Sequence, residues 1–317
     1  MKKVKLLALA LLSMTPMLVT SCQKNGIKTI GICQLVTHPA LDAATEGFME
    51  AVKEGMGEEN VRFDFQDAAG EPTNCITIAN SFVSKKVDLI MANATPALQA
   101  VANSTLTIPI LGTSITEYGT ALSLKNFNGT VGSNISGTSD LAPLDGQVDM
   151  IVELFPEAQK VGLLYCSAEA NSKYQVNTVK SLLQNKSITT KEISFADSND
   201  LQSVLIANVN DLDVLYIPTD NTCASNTTII DAVCRPKRLP IICGEENICK
   251  GCGVASLSIN YFNIGLKTGE MAVEILKEGR DISKMPIAYD ENPVKKYNRT
   301  LCEELDIVIP STYVEIE

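Results

Sequence analysis

The sequence predicts an α/β protein of two lobes, each a mostly parallel sheet flanked by helices, with three hinge crossovers between them. Three observations carry that expectation. Short apolar runs alternate with helical stretches of about 10 to 15 residues along most of the chain, which is the signature of βαβ units. The alternation stops over 113–143, a segment rich in Gly, Ser, Thr and Asn, and then starts again, so the same unit is built twice. The chain is also 317 residues long, beyond the roughly 250 to 300 at which single cores give way to several.

In the first lobe the expected strands are Ile27–Cys33, Val61–Phe65, Leu89–Ala92 and Ile108–Leu111. The helices between them are Pro39–Lys53, Thr73–Val83 and Pro96–Ala102, with Pro placed where a first turn tolerates it. The second lobe opens with helix Leu144–Leu154 and continues through strand Val161–Cys166, helix Ser172–Leu183, strand Ile188–Ile193, helix Leu201–Val209 and strand Val214–Ile217. Helix Cys223–Val233, strand Ile241–Cys243 and the apolar segment Val254–Leu257 complete it. The remainder of the chain holds a long helix Tyr261–Lys277, the segment Pro286–Tyr289, a helix Val294–Leu305 and a strand Ile307–Ile309, too few elements for a third domain. The chain is therefore expected to cross back near 256–260 and again near 287–291. That division assigns 27–142 plus 258–289 to the first lobe and 143–257 plus 290–317 to the second.

The N-terminus has the layout of an export signal: Lys2, Lys3 and Lys5, an apolar run Leu6–Leu12, and an exit through Val19-Thr20-Ser21 to Cys22. That exit resembles the bacterial lipobox, in which the Cys is acylated and becomes the first mature residue. Residues 1–21 are then a lipoprotein signal, Cys22 the lipid attachment point and 22–26 a linker. Ser13, Thr15 and Pro16 interrupt the apolar run, which falls short of the roughly 20 residues of a membrane span. The expected product is a monomeric body held to the extracytoplasmic face of the membrane by its lipid only.

Charge and composition exclude several classes. The formal charge of −11 argues against nucleic acid, whose phosphates require clustered Lys and Arg. Catalysis needs a nucleophile, a base and an oxyanion site; the chain has one His, His38, and neither a GxGxxG nor a GxxxxGK[ST] loop. No cofactor and no enzymatic activity are expected. Of the ten cysteines, Cys33, Cys166 and Cys243 end apolar strands and suit small buried hydrophobes. The cluster Cys243, Cys249 and Cys252 contains one CxxC turn. A structural zinc site needs four ligands, and the neighbouring Cys223 and Cys234 add no second CxxC, so no metal is assigned. Free thiols and a Cys249–Cys252 disulfide both remain compatible with the spacing.

In open parallel sheets, ligands lie beyond the carboxyl ends of the strands. The segments there are 34–38, 93–96, 112–116, 167–172, 218–221 and 244–247, and they are rich in hydroxyls, amides and carboxylates. Asp220 and Glu245 are suited to an ammonium. Thr95, Thr113 and Ser114 are suited to a carboxylate. The same residue types also serve as ordinary helix caps.

Four of these segments carry a resemblance. Gln34 with His38-Pro39-Ala40-Leu41-Asp42, Ala94-Thr95-Pro96-Ala97, Glu169-Ala170-Asn171-Ser172 and Pro218-Thr219-Asp220-Asn221 are similar to the tryptophan and tyrosine type of ABC transporter substrate-binding protein. The likeness runs from about Ile27 to Pro310. It implies the periplasmic-binding-protein type I fold, a small zwitterion such as an amino acid as ligand, and the permease subunits of an importer as partners. It further implies that Thr95 and the hydroxyls of Thr113, Ser114 and Thr116 receive the ligand's carboxylate, and that Asp220 receives its ammonium. Gln34, Asn171 and Glu245 line the same cleft. The run Leu111-Gly112-Thr113-Ser114-Ile115-Thr116-Glu117-Tyr118-Gly119 departs from the family, which has an aromatic and an Asp-Pro there. A ligand-sensing domain of this fold, acting on a receptor rather than a permease, is the alternative role.

The lipid reading gives a first prediction. Cys22→Ser moves the protein from the salt-washed membrane fraction to the soluble fraction, because stable anchoring requires the acyl chains. A mutant that still pellets with membranes contradicts it.

Overall fold

The computed structural model describes residues 26–290 and 292–316; the expected signal segment and Cys22 lie outside the described residues. The chain begins with β1 (Lys28–Gln34), α1 (Pro39–Met56), β2 (Val61–Asp67), α2 (Pro72–Lys85), β3 (Leu89–Asn93), α3 (Thr95–Ser104), β4 (Ile110–Ile115), α4 (Tyr118–Ala121) and β5 (Ile135–Ser139). Then come α5 (Leu144–Leu154), β6 (Lys160–Cys166), α6 (Ala170–Asn185), β7 (Thr189–Phe195), α7 (Ser198–Asn208), β8 (Val214–Ile217), α8 (Asn221–Ala224), α9 (Thr227–Cys234), β9 (Ile241–Cys243), α10 (Glu246–Cys252) and β10 (Ala255–Ser258). The chain ends with α11 (Tyr261–Leu276), β11 (Ala288–Tyr289), β12 (Val294–Tyr297), α12 (Arg299–Glu304) and β13 (Val314–Glu315).

Two sheets result, with strand orders β11-β5-β4-β3-β1-β2 and β13-β12-β10-β9-β8-β6-β7. All pairings are parallel except β10 with β12. A parallel sheet is covered on both faces, so its strands must be apolar on both. In β1, Ile30 and Ile32 face α1 and α11, while Cys33 faces the core shared with α2 and α3. In β6, Val161, Leu163 and Tyr165 pack with α5 and α6, and Leu164 and Cys166 with α7, α9 and α10. The period of two along each strand thus divides each lobe into two cores.

Four differences from the sequence expectation have local causes. The segment 113–143, over which the sequence alternation stops, contains β5, hidden by its composition Ile-Ser-Gly-Thr-Ser. Gly137 within it adopts φ +143°, and a Cβ there would lie 2.0 Å from the Gly112 carbonyl, so β5 approaches β4 too closely for any other residue. The expected helix Val294–Leu305 is a strand followed by a short helix. β12 pairs with the free side of β10, and Asn298 then caps α12 by accepting from Leu301 N at 3.2 Å. The expected strand Ile307–Ile309 has no ladder: Ile307 and Ile309 pack on the second lobe's core, Val308 is exposed, and the edge position is filled by β13. Helix Cys223–Val233 is two helices, α8 and α9, because Asp220 caps the first by accepting from Cys223 N at 2.8 Å and the turn at Ser225–Asn226 ends it.

The three connections between the lobes are laced together. Asp140, which follows β5, accepts from the Tyr261 hydroxyl at 3.0 Å, and Asn260 N donates to Asp290 Oδ2 at 3.1 Å. The first crossover is thereby bonded to the second and the second to the third. Among the described residues no helix is long and apolar enough to cross a membrane.

Helix α11 returns to the first lobe and lies against α1 with backbones nearly touching. A Cβ on Gly265 would sit 2.1 Å from Ala44 O, and one on Gly47 2.2 Å from Phe262 O. Gly265→Ala is therefore expected to destabilise the protein by about 1–3 kcal/mol through overpacking. Urea unfolding measures it, and a change below a few tenths of a kcal/mol contradicts this packing.

Candidate functional site

The carboxyl ends of both sheets face each other, and the loops that leave them meet. Helix α3 touches α6 across the boundary, as does α4. The His38 ring of the first lobe also meets the Asn221 side chain of the second, with His38 Nε2 3.3 Å from Asn221 Oδ1. The sequence-selected residues all lie at these strand ends and all are buried. Their roles differ.

In the first lobe, Thr95 and Ser114 are the residues left open. Thr95 opens α3, and its Oγ1 is buried with no partner among the described residues. Ala94 before it takes φ +87°, and Pro96 after it has no N–H, so the helix start presents the positive end of its dipole beside the Thr95 hydroxyl. Ser114 sits where the β4–β5 register breaks between Gly112 and Ile115. A bulge of this kind re-aims a side chain. Ser114 adopts φ +55°, and its Oγ is also buried and unpartnered. The irregularity is held by Tyr118, whose hydroxyl donates to Gly112 O at 3.0 Å and to Thr138 O at 3.1 Å.

Thr113, Thr116 and Gln34 are otherwise engaged. The Thr113 hydroxyl bonds that of Thr138 at 3.2 Å, which in turn bonds Thr268 of α11 at 2.8 Å. Thr116 accepts at its backbone carbonyl from the Ser139 hydroxyl at 2.9 Å, and its side chain lies close enough to Asp140 to favour the ionised carboxylate. Gln34 donates to Asp42 Oδ1 at 2.7 Å and to Val36 O at 3.1 Å, and accepts from the Thr45 hydroxyl at 2.7 Å. It fastens β1 to α1 within the lobe.

In the second lobe three carboxylates hold the loops. Glu169 accepts from the backbone and side chain of both Asn221 and Thr222, and from Asn171 Nδ2. Asp220 accepts from Cys166 N and the Ser172 hydroxyl, both at 2.7 Å, and from Cys223 N at 2.8 Å. Three of its roughly four acceptor positions are taken. Burial, followed by the Glu169 charge, pushes its carboxyl up to about 7, while those three donors oppose the rise. Glu245 caps α10 through Asn247 N at 2.7 Å and Ile248 N at 2.8 Å, and burial raises its carboxyl as well. Asn171, in the first turn of α6, donates to Glu169 and to Thr219 O, but its Oδ1 has no partner among the described residues.

One residue escaped the sequence analysis altogether. Asp140 is 3% exposed; its Oδ2 takes the Tyr261 hydroxyl, and its Oδ1 has no partner among the described residues. The rule that selects residues just after strands applies to it, but only once β5 is recognised. Among the described residues the nine cysteines are buried free thiols, and no group of three or more His, Cys, Asp or Glu is arranged to hold a metal.

The arrangement is that of a hinged binding protein with a cleft between two sheet ends. Residues 29–315 match the family described as ABC transporter substrate binding protein, and the chain belongs to that family. It is 37% identical over 262 residues to a tyrosine-binding protein of Clostridioides difficile (strain R20291), covering 82% of this chain and 75% of that one. Among solved structures it is similar to an ABC domain from Streptococcus pneumonia in complex with L-Trp, with TM-score 0.87, 28% identity and coverage of 92% of this chain and 99% of that one. It is also similar to a ligand-free, open substrate-binding protein with adhesive properties from Clostridium difficile, with TM-score 0.69, 36% identity and coverage of 92% and 100%. The fold expected from the sequence is the fold observed.

The capping role of Asp220 gives a prediction independent of any ligand. Asp220→Ala leaves the amides of Cys166 and Cys223 and the Ser172 hydroxyl without their acceptor, and is expected to cost about 2–5 kcal/mol of stability in the ligand-free protein. Urea denaturation followed by circular dichroism tests it; a loss under about 1 kcal/mol means the three bonds do not hold the loop.

Proposed function

We propose that this substrate-binding protein closes its cleft on an α-amino acid, with an aromatic one favoured, as an extracytoplasmic lipoprotein that delivers its ligand to an importer. The observation that carries the ligand class is the set of buried polar atoms without partners. Thr95 Oγ1 and Ser114 Oγ belong to the first lobe and Asn171 Oδ1 to the second, and the helices bearing Thr95 and Asn171 touch. Leaving a buried polar atom unpaired costs about 1–3 kcal/mol, so a closed form with these atoms empty calls for an occupant. Two hydroxyls beside a helix N-terminus suit a carboxylate.

The conformation supports the same reading. The chain superposes better on the relative that holds L-Trp than on the ligand-free open one, although it is more identical in sequence to the latter. Closure is a population shift, and the ligand must contact both lobes to drive it. Aromatic preference rests on the two relatives, one named for tyrosine and one holding L-Trp. A sugar would want aromatic platforms, and this chain has no Trp and 5% aromatics. The lipoprotein part rests on the run ending at Cys22.

The test is thermal unfolding and calorimetry with the twenty amino acids, singly. At a hundredfold excess over its dissociation constant a true ligand adds about 2.7 kcal/mol of stability, which raises the melting temperature measurably. Tyrosine, tryptophan or both are expected to do so. If none of the twenty shifts the melting temperature or releases heat, the amino-acid reading falls.

A further inference from the structure

Resting on the amino-acid reading above, we infer that the ligand's ammonium is received by Asp140 at the hinge, and not by Asp220 on the second lobe. Four acidic side chains are buried among the described residues: Asp140, Glu169, Asp220 and Glu245. Glu169, Asp220 and Glu245 each hold helix starts or loops of their own lobe with both oxygens accepting bonds. Asp140 alone of the four has a whole carboxylate oxygen, Oδ1, buried and bare. An ammonium is the complement of such an atom, giving a short charge-assisted bond.

The charge balance points the same way. No Lys or Arg is buried among the described residues, and the one buried group able to carry positive charge is His38, which lies beside Glu245. Asp140 and Glu245 repel each other across the boundary, and among the described residues no buried Lys or Arg offsets that repulsion. A buried carboxylate without a cation is expensive, and a zwitterion supplies one on entering.

Position makes the contact mechanical as well as electrostatic. Asp140 lies in the first crossover, and its other oxygen is bonded to Tyr261 at the start of α11, just past the second crossover. An ammonium on Oδ1 therefore ties the ligand to the segment that bends. Tyr261 is a positioning residue: it holds Asp140 and need not touch the ligand.

The surroundings of Asp140 also set the sign of a pH dependence. Burial, the largest cause, pushes the carboxyl up to about 6; the Tyr261 and Thr116 hydroxyls oppose the rise, and Glu245 reinforces it. The other titratable group facing it is Tyr118 of α4. An ammonium requires the ionised form. The preference for the amine over its desamino analogue is accordingly expected to be flat above about pH 6 and to fall below it, by at most tenfold per pH unit, because binding must then displace a proton.

Calorimetry on the purified protein decides the matter, with L-tyrosine and L-tryptophan compared with 3-(4-hydroxyphenyl)propionate and indole-3-propionate, which lack the amine. The wild type is expected to prefer the amino acid by at least tenfold. In Asp140→Asn that preference disappears, the binding of the desamino acid is retained, and the amine-specific part of the pH dependence between 5 and 7, read as the difference between the amino acid and its desamino analogue, is lost. Should Asp140→Asn not fold, Tyr261→Phe serves: it removes a donor from Asp140 and moves the midpoint of the affinity profile to higher pH. The assignment is overturned if Asp140→Asn keeps the full preference for the amine, or if Tyr261→Phe leaves the midpoint in place. A wild type that binds neither the amino acids nor the desamino acids removes the amino-acid reading itself, and this inference with it.

Discussion

Two parallel sheets set end to end by their carboxyl edges bring their polar loops together in a place that excludes water. Every donor and acceptor there must find a partner, since an orphaned one costs about 1–3 kcal/mol. Most of the loop sequences in this protein answer that constraint. Glu169 alone gathers Asn171, Asn221 and Thr222, so that the ends of β6 and β8 share one acceptor. Asp220 and Glu245 do the same for the starts of α8 and α10. The few atoms left over stand out because so much else is satisfied.

The bonds within each lobe are distinct from those that join the two. Within each lobe the strand ends are pinned by bonds that do not cross the cleft, as Gln34 pins α1 and Tyr118 pins the broken register of β4. Between lobes the chain passes only through the three crossovers, which Tyr261 and Asn260 bind to one another. In the proposed closure, bending of that laced hinge would leave the pinned ends intact, and a ligand contacting both lobes would favour the closed form.

The alternation of strands and helices was legible because parallel strands buried on both faces are apolar throughout, and that pattern survives without knowledge of partners. It failed where tertiary context chose the outcome. Ile135–Ser139 has too much Gly and Ser to look like a strand, yet β4 on one side and β11 on the other make it one. Val294–Tyr297 becomes a strand because β10 has an open edge. The candidate site was legible as a set of loops, since post-strand positions select Thr95, Ser114 and Asn171, whose buried polar atoms lack partners among the described residues. It was not legible as a division of labour. Whether an acid caps a helix or keeps an oxygen open depends on which donors lie within about 3 Å of it: Asp220, which the motif singles out, already holds three, and Asp140, with one oxygen unpartnered among the described residues, belongs to no motif.

One zwitterion is proposed to satisfy four of the unpartnered atoms at once, Thr95 Oγ1 and Ser114 Oγ of the first lobe, Asn171 Oδ1 of the second and Asp140 Oδ1 of the hinge. A crystal structure of the protein grown with L-tyrosine or L-tryptophan tests it directly. The account predicts the ligand's carboxylate within hydrogen-bond distance of the Thr95 and Ser114 hydroxyls, its ammonium on Asp140 Oδ1, and Asn171 Oδ1 bonded to the ligand. A closed structure in which those atoms bind only water, or in which the amino acid sits elsewhere, contradicts it.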